Sequence, residues 1–204
     1  MCKKINFAVQ ITIIFIILCF LFNSIYLKNY ENILTDLVII ALVFLPKVLN
    51  KIFKLNIPYS LEIFYTLLLF FGKYLGADYF YYSVVPLYDK IIHIFYAVFA
   101  ALISMFLLVK TKTYNKKNMV FNIIFIIAFT LGTAVIWEFL EFSSDKILHE
   151  NNQRLETGIF DTMIDLILTF VTSLIFVADY FIEIKFHKKG MLSSFIANIK
   201  KRGV

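Results

Sequence analysis

The chain has 204 residues, of which 61% are apolar and only 17% are charged. A soluble domain of this length carries nearer a quarter charged residues, so the composition excludes an ordinary soluble fold and indicates a multi-pass membrane protein. The net charge of +6 does not indicate nucleic acid as a partner, because Lys and Arg collect in the cytoplasmic loops of membrane proteins.

Six apolar stretches are long enough to cross the hydrocarbon core of a bilayer, which needs about 20 residues per helix. In chain order they cover 7–27, 33–49, 59–82, 85–109, 118–142 and 160–184. The first is too long for the apolar part of a signal peptide and is predicted to be an uncleaved anchor. The second is the weakest, because it is short and contains Asp36 and Pro46. The sequence thus predicts an all-α membrane protein, a bundle of about six transmembrane helices in one domain over 1–184.

The distribution of basic residues predicts the orientation. Most of the 20 Lys and Arg residues precede the first span, lie in the second and fourth connections, or follow residue 184. The positive-inside rule then places both termini in the cytoplasm, and an even number of spans agrees with this. In the basic tail, 185–204, apolar residues of 191–199 share one helical face. This pattern fits either an interfacial helix on the anionic cytoplasmic leaflet or a frayed basic tail.

Ionisable side chains gather at the extracytoplasmic ends of the last three predicted spans. The spans carry them at i, i+3 or i+4 spacings, which place those of each span on one helical face: Asp89, His93, Glu138, Glu141, Asp161 and Asp165. An ionised group at the middle of a span costs about 2.5–3.5 kcal/mol on insertion scales, so such residues face inward and mark functional sites. We expect these six to bind a ligand or a metal across a shared pocket. Counter-charge candidates are Lys73, Lys90 and Arg154.

Structural roles remain open for three of these residues. Glu141 is also typical of a solvated helix end, and Asp161 complements the dipole at the start of the sixth helix. Lys90 has a side chain long enough to reach the outer headgroups.

At these residues the chain resembles the VanZ-like membrane proteins. The shared pattern spans about residues 86–176 and consists of Asp89-Lys90-x-x-His93, Glu138 with Glu141, Arg154, and Asp161 with Asp165. The chain is also similar to a related group of uncharacterised bacterial membrane proteins with Trp-Glu and Asp-Thr-x-x-Asp motifs. Three features depart from the VanZ-like pattern. That pattern usually has Gln in place of Glu141, Pro-Gly-Arg in place of Asn-Gln-Arg, and small residues in place of Thr169, Thr172 and Ser173. The resemblance implies a bacterial cytoplasmic-membrane protein from a family linked, in one branch, to glycopeptide-antibiotic resistance.

The polar residues fit three functions. In the first, the site binds the headgroup of a membrane lipid, a lipid-linked cell-wall component or an amphiphilic antibiotic. Lys73, Lys90 and Arg154 would then contact phosphate, and the aromatic residues of 79–82 would line the rim. In the second, the chain is a membrane-embedded hydrolase or transferase. A divalent metal would be its cofactor and Glu141 its general base.

The third function is a proton- or cation-coupled transporter. It would use a polar stripe along the sixth helix, made of Asp161, Asp165, Thr169, Thr172, Asp179 and Glu183. A purely structural subunit is a further alternative. The sequence thus leaves open whether the chain is an enzyme, which metal it would bind, and whether it forms oligomers.

Overall fold

The structure is a computed structural model, and it describes residues 2–78, 81–85, 87–148 and 159–201. Every regular element within these ranges is helical. The contacts of the chain divide it into unit 1, Met1–Asp89, and unit 2, Lys90–Val204. The division falls inside a continuous helix, Tyr88–Lys110, so the first two residues of this helix are counted with unit 1.

Unit 1 is built around a long first helix. The elements are α1 (Cys2–Tyr26), α2 (Tyr30–Val43), α3 (Leu45–Phe53), α4 (Tyr59–Leu68), which continues as a wider π-type helix over Leu69–Asp78, and α5 (Tyr81–Val84). The core contains Ile13, Ile17, Ile39, Val43, Phe70 and Tyr74. A bend of 42° separates α2 from α3, which has a Pro at its start, where proline costs no helical hydrogen bond.

Unit 2 consists of α6 (Tyr88–Lys110), α7 (Met119–Leu148), α8 (Ile159–Lys185) and α9 (Met191–Lys201), with a short 3₁₀ turn before α7. Buried residues of α7 recur every fourth position from Asn122 to Glu138, and those of α8 recur in the same way from Asp161 to Ser173. Small residues are also buried, including Ala97 and Ala101 of α6 and Ala134 of α7, and small residues let membrane helices approach closely.

Polar and apolar side chains are distributed as the membrane prediction requires. Large apolar residues on α1 and α7, such as Phe15, Phe22, Ile124 and Phe139, are exposed, whereas carboxylates such as Asp165 are buried. Four helices are long and apolar enough to cross a bilayer, or five if α2 and α3 together form one bent span. An all-helical architecture is therefore confirmed for the described residues, and these apolar helices agree with a multi-pass membrane protein. The number six and the cytoplasmic position of both termini stay predictions.

The predicted third span, 59–82, does not appear as one regular α-helix. Its first half is α4 and its second half is the π-type helix that ends at Asp78. The stretch is not among the four helices counted above.

The tail helix α9 is held to α8 by a carboxylate. Glu183 accepts hydrogen bonds from the backbone N–H groups of Leu192 (3.0 Å) and Ser193 (2.7 Å), which are unpaired in the first turn of a helix. The apolar residues of its inner face are buried within the protein: Leu192, Phe195, Ile196 and Ile199. Lys200 lies 5.4 Å from the ring centre of Tyr114 in the same unit. That α9 rests on a lipid leaflet stays a prediction.

Candidate functional site

The centre of the candidate site is an ammonium group held by two aspartates. Lys90 Nζ lies 2.6 Å from Asp161 Oδ1 and 2.7 Å from Asp165 Oδ2, and all three side chains are largely buried. Lys90 belongs to the first turn of α6, and the aspartates lie one turn apart at the start of α8. Carboxylates are favourable in the first turn of a helix, where the dipole is positive, so this end of α8 stabilises Asp161.

His93 lies beside the same carboxylate. Its Nε2 is 3.9 Å from Asp165 Oδ2, and its side chain is 5% exposed. Asp89 precedes His93 by four residues on α6, so helix geometry alone places the two on one face. Ligand atoms of Asp89, His93 and Asp165 all lie within 4.8 Å of one another, an arrangement that suits a metal ion. We call Asp89, Lys90, His93, Asp161 and Asp165 the polar cluster.

Glu138 is the buried carboxylate of α7. It is 5% exposed and ends the buried row of that helix, which packs against α8. Further along the interior of unit 2, the hydroxyl oxygens of Thr130 and Thr169 are buried without a hydrogen-bond partner. Thr169 follows Asp165 by one helical turn, so polar groups continue inward from the polar cluster along α8.

The remaining candidates from the sequence are Glu141, Lys73 and Arg154. Glu141 accepts a hydrogen bond of 2.7 Å from Trp137 Nε1 on the surface of α7, so its carboxylate is engaged away from the buried row. Lys73 is exposed in unit 1. Arg154 lies outside the described residues, as do Tyr79 and Phe80 of the predicted rim.

The polar stripe predicted along α8 differs in the structure. Asp161, Asp165, Thr169 and Glu183 are buried, as a shared face requires, but Thr172 is only partly buried and Asp179 is exposed. The buried face instead continues through Ser173 and Tyr180. The reason is that these buried positions follow steps of four residues from Asp161 to Ser173, whereas the predicted stripe took a step of three at Thr172.

Two buried carboxylates of unit 1 were not predicted as site residues. Asp36 accepts hydrogen bonds from Tyr74 Oη (2.6 Å) and Ser24 Oγ (3.2 Å), and it is fully buried. Glu62 accepts from Asn6 Nδ2 at 2.7 Å and is 3% exposed. Asp36 and Glu62 are each an acidic residue inside an apolar stretch of the sequence, and this is the signal by which both could have been found.

Comparison with known proteins gives a family. A family model described as "Predicted membrane protein (DUF2238)" matches residues 8–184. An uncharacterized protein of Thermotoga maritima is 33% identical over 126 residues, which are 61% of this chain and 63% of that protein. The match thus spans less than two thirds of the relative's length. No solved structure matches.

These matches support one part of the resemblance noted from the motifs. They agree with an uncharacterised membrane family, whereas membership of the VanZ-like proteins stays a prediction. Because the family model covers most of the sequence, the chain belongs to the membrane-protein family DUF2238.

Proposed function

We propose that the polar cluster binds a divalent cation and, through it, the anionic headgroup of a membrane lipid or lipid-linked molecule. The carrying observation is that ligand atoms of Asp89, His93 and Asp165 lie within 4.8 Å of one another in a buried setting. Two carboxylates and one imidazole suit Mg²⁺, Mn²⁺, Fe²⁺ or Zn²⁺.

The distances support this proposal. Oxygen and nitrogen ligands lie about 2.0–2.2 Å from such ions, so two ligands of one ion are at most roughly 4.4 Å apart. His93 Nε2 and Asp165 Oδ2, at 3.9 Å, already meet this limit. The widest separation in the group, 4.8 Å, needs a side-chain movement of less than about 1 Å, which rotation about one bond supplies.

The chemistry of the side chains also favours a cation. Asp89, Glu138, Asp161 and Asp165 are buried carboxylates. Carboxylate oxygens are the ligands that Mg²⁺ and Mn²⁺ prefer in proteins.

Direct recognition of phosphate by Lys90 is less well supported. Its ammonium already contacts Asp161 and Asp165 at 2.6 and 2.7 Å, and an anion added there without a cation would meet these carboxylates. A cation that neutralises the carboxylates removes this repulsion. The headgroup then becomes a ligand of the ion.

The test is elemental analysis of the full chain, purified in detergent without chelator. His93→Ala and Asp165→Asn should each lose near-stoichiometric metal that the wild type retains. Asp179→Asn is the matched control, because it makes the same change at an exposed position of the same helix and should retain the metal. Phosphorus in the co-purified lipid should fall in the same two variants. An equal metal content in all four folded proteins would refute the proposal.

A further inference from the structure

A second set of buried polar side chains lies in unit 1, around Glu62. Asn6 on α1 donates to Glu62 Oε2 at 2.7 Å, and Asn50 on α3 donates to Glu62 Oε1 at 3.4 Å. Three helices therefore meet at this carboxylate, which belongs to the first turn of α4 and is 3% exposed. None of these residues belongs to the polar cluster.

Two amides of α1 at this place are not satisfied. Asn6 Oδ1 and both amide atoms of Gln10 are buried without a hydrogen-bond partner, and the two side chains are 3% and 2% exposed. Gln10 follows Asn6 by one turn, so both residues lie on the same face of α1. Burying a polar group without a partner is costly. Several such groups beside a carboxylate point to a bound ligand that satisfies them.

We propose that Glu62, Asn6 and Gln10 form a binding site for a hydrated monovalent cation of the Na⁺ class. Carboxylate and amide oxygens are hard ligands of the kind that such ions take. The site has a single carboxylate, whereas sites for divalent ions in proteins combine several carboxylates or an imidazole. Gln10 Nε2 is a donor and cannot bind the ion itself, so it donates to a water molecule that the ion carries.

The site differs in kind from the polar cluster, so the two proposals fail independently. The polar cluster combines several carboxylates with an imidazole, which suits a divalent ion. The Glu62 site combines one carboxylate with uncharged amides. A protein that binds no divalent metal would leave the Na⁺ proposal intact, and the reverse also holds.

The experiment measures thermal unfolding of the full chain in detergent. NaCl replaces choline chloride stepwise, so that the Na⁺ concentration rises at constant ionic strength. In the wild type the Tm should rise with Na⁺ and saturate. The shift should be roughly 5 °C or more once Na⁺ exceeds its Kd about a hundredfold. Glu62→Gln and Gln10→Met should abolish the shift. Asp179→Asn should keep it.

The chosen variants distinguish a Na⁺ binding site from buried amides that bind no ligand. Glu62→Gln keeps the shape and an acceptor for Asn6 but removes the charge, so the test remains open if Gln10→Met fails to fold. Gln10→Met removes an amide at nearly constant volume. If Gln10→Met raises the Tm and leaves the Na⁺ response unchanged, Gln10 binds nothing and the proposal is wrong. A wild-type Tm that is equal in Na⁺ and choline would also overturn it.

Discussion

Replacing Lys90 by Met tests how the buried charges of the polar cluster are balanced. The substitution removes the ammonium while keeping most of the side-chain length, and it leaves Asp161 and Asp165 without their shared partner at 2.6 and 2.7 Å. Breaking a buried ion pair by removing one partner costs about 3–5 kcal/mol. The repulsion between the two carboxylates, taken at about 5 Å and an effective dielectric constant of about 20, is roughly 3 kcal/mol, which is of the same order.

The expected result depends on divalent cations. For a chain of about this length, a loss of 3 kcal/mol lowers the Tm by roughly 6–12 °C. Without metal, Lys90→Met should show this loss in a thermal unfolding assay in detergent. With saturating Mn²⁺ most of the loss should disappear, because the ion supplies the positive charge that the variant lacks. The variant should also bind Mn²⁺ about tenfold more tightly than the wild type, since a competing cation is gone.

Two outcomes would refute this reasoning. If Lys90→Met lowers the Tm equally with and without Mn²⁺, the ion does not reach Asp161 and Asp165. If the variant is as stable as the wild type in both conditions, Lys90 does not balance the buried charge. Lys188→Met, at an exposed position of the same unit, controls for the general effect of losing one lysine. It should change neither the Tm nor the affinity for Mn²⁺.

Two further predictions concern contacts outside the polar cluster. Tyr74→Phe removes the hydrogen bond of 2.6 Å to the fully buried Asp36 and should lower the free energy of unfolding by about 1.5–3 kcal/mol. The control Tyr26→Phe, at an exposed residue, should change the free energy of unfolding little. A loss below about 0.5 kcal/mol in Tyr74→Phe would contradict a strong charged hydrogen bond. Gly190→Ala should release α9, because the new Cβ would overlap Glu183 Oε1 and displace this carboxylate from the helix N-terminus. A capping contact of this kind stabilises a helix by about 0.5–2 kcal/mol. Faster tryptic cleavage after Lys200 would show the release. Gly132→Ala, whose Cβ meets nothing within 4 Å, should leave cleavage unchanged, and equal rates in both variants would contradict the prediction.

Hydropathy and helical spacing predicted much of the architecture. The spans that became α1, α6, α7 and α8 follow from long apolar runs, because a bilayer core requires this length. The i, i+4 spacing of Asp161 and Asp165 placed both on one face, and the structure buries both. These features depend only on residues that are close together in the chain, so they can be predicted from a single sequence.

Contacts between helices could not be predicted in the same way. Asn6 and Glu62 are 56 residues apart, and their pairing depends on which helices are neighbours and at what relative height. Periodicity within one helix carries neither kind of information. Asp36 was noted only as a weakness of the second span, yet Tyr74 and Ser24 satisfy it fully through contacts of this kind.

The position of Lys90 connects the cation and the headgroup in the proposed function. A lysine and a divalent ion that bind the same carboxylates compete, because each neutralises the charge that holds the other. Without the ion, Lys90 keeps Asp161 and Asp165 stable inside the protein. When an ion takes Asp165, the ammonium would lose its contact with Asp165 Oδ2 and become able to contact an anion that arrives with the ion. The resting ion pair and the anion contact would then be two states of one side chain, and a lipid phosphate would bind only after the cation.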